Sequence, residues 1–237
     1  MNNDLPFIVG IGASAGGIDA LSQFFKGVPA RADMAFVVVT HLNPERESQL
    51  HKVLEHKTDM TVRIPDDNER VRAGTVYVMP QKTYLLIKEG RLQLKTLTTG
   101  VRGVPTGRSV FQRSGRRPKD NAAGVVLSGG DGDGTLGVKV IKEQGGVTFA
   151  QVADGGPPLN SEMPQSAIST GFVDFALPAG DMGEKLLEVR DGRAALEALA
   201  FDSDTDKQAS PKQVQSVIAT ILREVTGHDF AGYKSKT

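Results

Sequence analysis

The chain has 237 residues with 28 basic and 28 acidic side chains, so no net field draws it toward nucleic acid or an anionic membrane surface. It has no cysteine, which excludes thiol nucleophiles, cysteine metal sites and disulfides together. The amino terminus lacks a basic region leading into a long apolar one, and no stretch approaches the roughly 18 apolar residues of a membrane span, so a cytoplasmic protein without membrane insertion is expected.

Residues 7–10 form a short apolar run ending in glycine, followed by Ile18, Leu21, Phe24, Phe25 and Val28 at helical spacing. A second buried-type strand covers 35–39, and a helix is expected over 44–57, with Leu50, Val53 and Leu54 on its apolar face. Between 61 and 97 the period shortens to β-type segments, TVYVM, YLLIK and RLQLKTL, the last two joined by a Glu89-Gly90 turn. These predict a small antiparallel ribbon. Alternation then resumes with the strand GVVLS, a helix over 135–144 stopped by Gly145-Gly146, the strand VTFAQ, a short helix over 164–169 and the strand FVDFAL.

The fold class expected is therefore α/β, a doubly wound and mostly parallel sheet with helices on both faces plus the ribbon. The catalytic body is expected to fill residues 1–200 and a polar, turn-prone linker 201–211. Residues 212–237 then hold a carboxyl-terminal helix, whose stripe of Val214, Val217, Ile218, Ile221, Leu222 and Val225 must pack on something.

Three glycine-bounded segments close apolar runs: GIGASAGG around Ser14, VVVTHLNP around His41 and VVLSGGDGDGTLG around Asp133. If the runs are parallel strands, these side chains emerge at strand carboxyl ends, where open α/β sheets place their sites. A serine hydroxyl needs an imidazole to accept its proton, and the imidazole needs a carboxylate to hold its tautomer, so the three types together point to a serine hydrolase. Gly12 to Gly16 fit a G-x-S-x-G turn exposing the hydroxyl, though Ser14 could instead cap the following helix. Gly10, Gly12 and Ala15 also fit G-x-G-x-x-A of a dinucleotide-binding turn, but Thr40-His41 stands where a ribose-binding acid should end the second strand. His51 and His56 fall on the charged side of their helix and read as solvated. Asp131 and Asp133 lie among four glycines without EF-hand spacing, so no metal or other cofactor is expected.

Residues 6 to about 187 resemble the catalytic domain of the CheB protein-glutamate methylesterases. The resemblance rests on IGASAGG, THLNP, VYVMP, LSGGDGDGTLG and MPQSAISTGFVDF, in that order. It implies a hydrolase that cleaves glutamyl methyl esters on methylated chemoreceptor helices and releases methanol, in many members also deamidating receptor glutamine. It also implies Ser14 as nucleophile, His41 as general base and acid, and Asp133 as orienting carboxylate. Ala15, Gly130 and Asp131 lie where the oxyanion and substrate are held, Gly130 standing where the family usually has methionine or threonine. Asp131 replaces a family glycine, which makes a silenced interaction module the alternative to an active esterase.

Residues 223–237, REVTGHDFAGYKSKT, resemble the opening of the CheR receptor methyltransferases, so the chain is expected to be the esterase part of a CheB-CheR fusion, with no receiver domain before it. The stretch 102–119 holds Arg102, Arg108, Arg113, Arg116, Arg117 and Lys119 without an acid, a solvated face or a dock for an acidic helical surface.

Overall fold

The computed structural model describes residues 5–29, 32–40, 49–80, 83–88, 90–96, 122–130, 134–153 and 160–202. Contacts divide the chain into two units, 1–187 and 188–237, and every strand among the described residues lies in the first. The expected linker beyond residue 202, the terminal helix and the arginine-rich stretch lie outside the described residues, as does the first part of the expected second helix.

A seven-stranded sheet forms the centre. Its strands are β1 (Phe7–Ala13), β2 (Met34–Thr40), β3 (Thr61–Arg63), β5 (Thr75–Val78), β8 (Ala122–Val126), β9 (Val147–Gln151) and β10 (Phe175–Leu177). Their order is β10-β9-β8-β1-β2-β5-β3, and every pairing is parallel. The chain winds outward from β1 through β2, then returns to lay β8 against the other side of β1. That reversal puts the topological switch point between β1 and β8, where open α/β sheets leave a crevice at the strand carboxyl ends.

Both faces of this sheet are covered, which is why its strands read as unbroken apolar runs. On one face Phe36 of β2 meets Phe24 and Phe25 of α1 (Gly17–Gly27) edge to face, with ring centroids 6.1 and 5.6 Å apart. The helix α2 (Leu50–Glu55) buries Leu50 and Leu54, two of the three residues expected on its apolar face. On the other face of the sheet, Ile8, Ala35, Val37 and Tyr77 pack against Leu85, Ile87 and Leu92. The latter three belong to a separate antiparallel sheet of β4 (Glu69–Arg70), β7 (Arg91–Thr96) and β6 (Thr83–Lys88). Farther along the main sheet, α3 (Gly134–Glu143) and α4 (Glu162–Ser169) enclose Val126, Val138, Ala150, Met163 and Ala167. Gly145, at φ 79°, ends α3 in a paired cap: Gly146 N–H reaches Ile141 O and Gly145 N–H reaches Lys142 O.

Three local expectations change. TVYV is not part of the ribbon: β5 pairs in parallel with β2 and β3 in the main sheet, and its Tyr77 is fully buried between sheet and ribbon. Ile18, placed by periodicity on the apolar face of α1, is 51% exposed, because it lies in the first turn of the helix, just past the strand end that carries Ser14. A 21-residue helix, α5 (Met182–Asp202), follows a 3-10 turn at Ala179–Asp181 and adds to the expected elements, although Leu, Ala and Glu, all strong helix formers, dominate its sequence. It starts inside the first unit with Met182, Leu186 and Leu187 buried and runs two residues into the expected linker. No helix among the described residues is long and apolar enough to cross a membrane.

Candidate active site

β1 ends at Ala13, so Ser14 is the first residue beyond the strand at the switch point. Its position is set by backbone on both sides. Ser14 N–H donates to Ser128 O at 2.9 Å, extending the β1–β8 ladder past its last pair, and Ser14 O accepts Gly17 N–H at 2.8 Å. The second bond closes a four-residue turn in which Gly16 sits at φ 72°, ψ 5° while Ala15 keeps a negative φ, the type II pattern that favours glycine at the third position. Ser14 itself has no positive φ, so the left-handed backbone that turns the chain falls on Gly16, where glycine takes it without strain. Gly17 has no room for a side chain: a Cβ there would lie 2.9 Å from the Ala13 Cβ.

This geometry settles two alternative readings of the segment. Gly16, not Ser14, is the cap residue of α1, and no side chain caps that helix. Ser14 is half-buried with its hydroxyl unengaged among the described residues, while Ala15 beside it is exposed. The dinucleotide pattern fails in register, since Gly10 and Gly12 are strand residues paired with Val37 and Val39, not members of the turn where phosphates would approach.

Behind the turn lies a buried hub that sequence reasoning passed over. Ser128, 1% exposed, follows β8 and Leu127. Its N–H donates to Gln151 Oε1 at 2.9 Å, its carbonyl accepts Ser14 N–H, and its hydroxyl accepts Asn160 N–H at 2.9 Å. The single hydroxyl proton has two acceptors in reach, Ala15 O at 2.9 Å and Asn160 O at 3.1 Å. One residue thus ties together the ends of β1, β8 and β9 and the approach to α4. The available signal was a serine ending the apolar run VVLS, where a buried hydroxyl must find partners.

Gly129 and Gly130 follow. Gly129 N–H donates to Asn160 O at 3.0 Å, Gly129 O accepts Met163 N–H at 2.9 Å, and a Cβ at 129 would lie 2.8 Å from the Met163 sulfur. At 130 a Cβ would lie 3.0 Å from Asn160 Nδ2 and 4.0 Å from the Ala15 Cβ. Ala15 and Gly130, two of the three residues expected beside the oxyanion and substrate, therefore face one another across the switch point.

Three expected site residues, His41, Asp131 and Asp133, lie outside the described residues. Their neighbours in the chain are described: Thr40, the last residue of β2, pairs with Ala13, and Gly134 opens α3 directly after Asp133. Of the other histidines, His56 is exposed as expected, whereas His51 is half-buried with its Nδ1 enclosed. No group of three or more metal-ligating side chains gathers among the described residues.

A parallel doubly wound sheet with a serine on a glycine turn at its switch point places the protein in the class of open α/β proteins whose site lies at the strand carboxyl ends. The model of the CheB methylesterase family matches residues 9–186, and the chain belongs to that family, which makes it a carboxylic ester hydrolase. A Leptospira interrogans relative that bears a provisional protein-glutamate methylesterase/protein-glutamine glutaminase name is 29% identical, over 76% of this chain and 92% of its own. The protein-glutamate methylesterase/protein-glutamine glutaminase of Thermotoga maritima is 31% identical over 77% of this chain and 54% of its own, and that of the group 3 operon of Rhizobium meliloti 31% over 79% and 52%. The chain thus spans about half the length of the latter two. The crystal structure of the Thermotoga maritima CheB methylesterase catalytic domain superposes with a TM-score of 0.67 at 27% identity, covering 78% of this chain and 99% of that one.

Proposed function

We propose that this chain hydrolyses glutamyl methyl esters on the helices of methylated chemoreceptors, releasing methanol, and so takes part in sensory adaptation. The observation that carries the reading is Ser14, held by Ser128 and Gly17 at the switch point of a sheet that belongs to a methylesterase family. The relatives' names add glutamine deamidation as a second reaction at the same centre.

In this reading Ser14 Oγ attacks the ester carbonyl carbon while His41 takes the hydroxyl proton, with Asp133 stabilising the imidazolium. The tetrahedral oxyanion is held by backbone N–H groups of Ala15 and Gly130. Collapse breaks the bond to methoxide, which leaves as methanol with the proton from His41. Water then gives a proton to His41 and its oxygen to the acyl carbon, freeing the glutamate carboxyl and restoring Ser14. No cofactor enters the reaction. The arginine-rich stretch 102–119 is the dock for the acidic receptor surface, and the segment after residue 211 leads into a methyltransferase-like portion.

Methanol release from a methylated receptor fragment, compared between this chain and Ser14→Ala, tests the reading. Loss of the nucleophile lowers kcat by several orders of magnitude, on the order of 10⁶ for a serine triad. Release by both proteins alike overturns Ser14 as the nucleophile, and release by neither when both are folded overturns the esterase reading and favours the silenced interaction module.

A further inference from the structure

Asn160, beside Gly130, combines a fixed side-chain orientation with donors that meet no acceptor among the described residues. Its backbone is held at both ends: the N–H donates to Ser128 Oγ at 2.9 Å and the carbonyl accepts Gly129 N–H at 3.0 Å. Its side-chain oxygen accepts Glu162 N–H at 3.2 Å, at the start of α4. That bond decides which end of the carboxamide is which, because only the oxygen can accept a backbone N–H. The nitrogen must therefore face the opposite way, and its hydrogens meet no acceptor among the described residues.

What it faces is the switch point. Nδ2 lies 3.0 Å from the position a Cβ on Gly130 would occupy, and the Ala15 Cβ lies 4.0 Å from that same point. Gly130 has no positive φ, so its missing side chain is not a backbone requirement. The space it leaves lies between the Ala15 turn and the amide of Asn160. Any residue with a side chain at 130 would crowd that amide, so glycine here and asparagine at 160 form a matched pair.

We infer that Asn160 Nδ2 donates a hydrogen bond to the acyl oxygen of the ester attacked at Ser14, a side-chain donor added to the backbone N–H groups of the oxyanion site. A carboxamide held by its oxygen and its backbone needs little reorganisation when charge develops on the acyl oxygen, which is the condition under which a donor favours the transition state over the ground state. Ser128 is the positioning residue behind it, since its hydroxyl accepts the Asn160 N–H and is too buried to reach substrate.

The inference rests on the esterase reading, and the experiment separates the two. Methanol release is measured for the unaltered chain, Ser14→Ala, Asn160→Ala, Asn160→Asp and Gly130→Ala, with thermal unfolding of each and the affinity of each for an alkyl boronic acid, which forms a tetrahedral anion on an active serine. Asn160→Asp retains the acceptor for Glu162 N–H and nearly the same volume, but replaces the donor by a carboxylate. Asn160→Ala and Asn160→Asp are expected to lower kcat by roughly 10²- to 10³-fold with little change in KM, the loss typical of one oxyanion donor. Boronate affinity falls in parallel, and unfolding of Asn160→Asp stays near that of the unaltered chain. Gly130→Ala lowers kcat in the same direction by displacing the amide. Ser14-dependent release with kcat and boronate affinity unchanged in both Asn160 variants overturns the inference and leaves the esterase standing. Absence of Ser14-dependent release in the unaltered chain overturns both.

Discussion

A hydroxyl with no access to substrate can still decide how a catalytic edge is arranged, and Ser128 is such a group. All of its polar atoms are used: N–H to Gln151, carbonyl from Ser14, and hydroxyl between Asn160 and the Ala15 turn. Replacing it by alanine strands the buried N–H of Asn160, a loss of about 1–3 kcal/mol for an unsatisfied group. We expect Ser128→Ala to lower the urea midpoint by a corresponding amount and to reduce methanol release. Ser128→Thr keeps the hydroxyl and recovers most of both. Recovery of stability without recovery of rate by threonine would show that the hydroxyl secures the fold and leaves the site unaffected.

Between elements, the tightest demand falls on two glycines. A Cβ on Gly27, at the end of α1, would lie 1.8 Å from Gly180 O, and one on Gly183 would lie 2.1 Å from Gly27 O. The end of α1 and the start of α5 thus approach backbone to backbone, and neither can yield by turning a side chain. Gly27→Ala is expected to cost about 1–3 kcal/mol, as overpacking does, with a lower melting temperature. Gly192, farther along α5, has no atom within 4 Å of its Cβ position, so Gly192→Ala is expected to stabilise by up to about 1 kcal/mol through helix propensity alone. Two calorimetric scans check the pair, and equal shifts would sink the explanation from close approach. The same contact explains why α5 begins where it does, although its composition alone marked neither its start nor its partner.

For the molecule as a whole, Tyr77 joins main sheet to ribbon. Its hydroxyl accepts Arg72 N–H at 3.0 Å and reaches Arg70 O at 3.5 Å, from a ring fully buried among Val37, Leu85 and Leu92. Burial raises the pKa of this phenol above its ordinary 10.0, outweighing the Arg72 hydrogen bond that favours the ionised form. The folded state therefore holds the phenolic proton to higher pH than the unfolded chain. Its contribution to stability is complete below about pH 10 and is lost as pH climbs from there through the folded pKa. Denaturation midpoints measured from about pH 8 to 11 should fall at the alkaline end, and less steeply in Tyr77→Phe. That variant starts lower at the neutral end, since Arg72 N–H loses its acceptor. An equal alkaline slope in both would clear Tyr77 of any part in the alkaline loss.

Much of the fold could be read from residues because strand ends and helix stops are local events. β1, β2, β8 and β9 announce themselves as apolar runs buried on both faces, the Gly145-Gly146 stop supplies the positive φ that α3 needs, and Gly16 supplies the one that turns the chain after Ser14. That local chemistry also set Ser14 at a strand end, and the several ordered motifs marked the family before any coordinate did. Which strand lies beside which is not local: TVYV reads as a strand either way, and only the packing of β5 beside β2 moved it from the ribbon into the parallel sheet. Nor could spacing reveal that Ser128 and Asn160, 32 residues apart, share a hydroxyl behind Ser14. Such a pair exists only once β8 has returned to the side of β1 and closed the crevice between them, because a buried hydrogen bond takes its partner from whatever the completed sheet brings within reach.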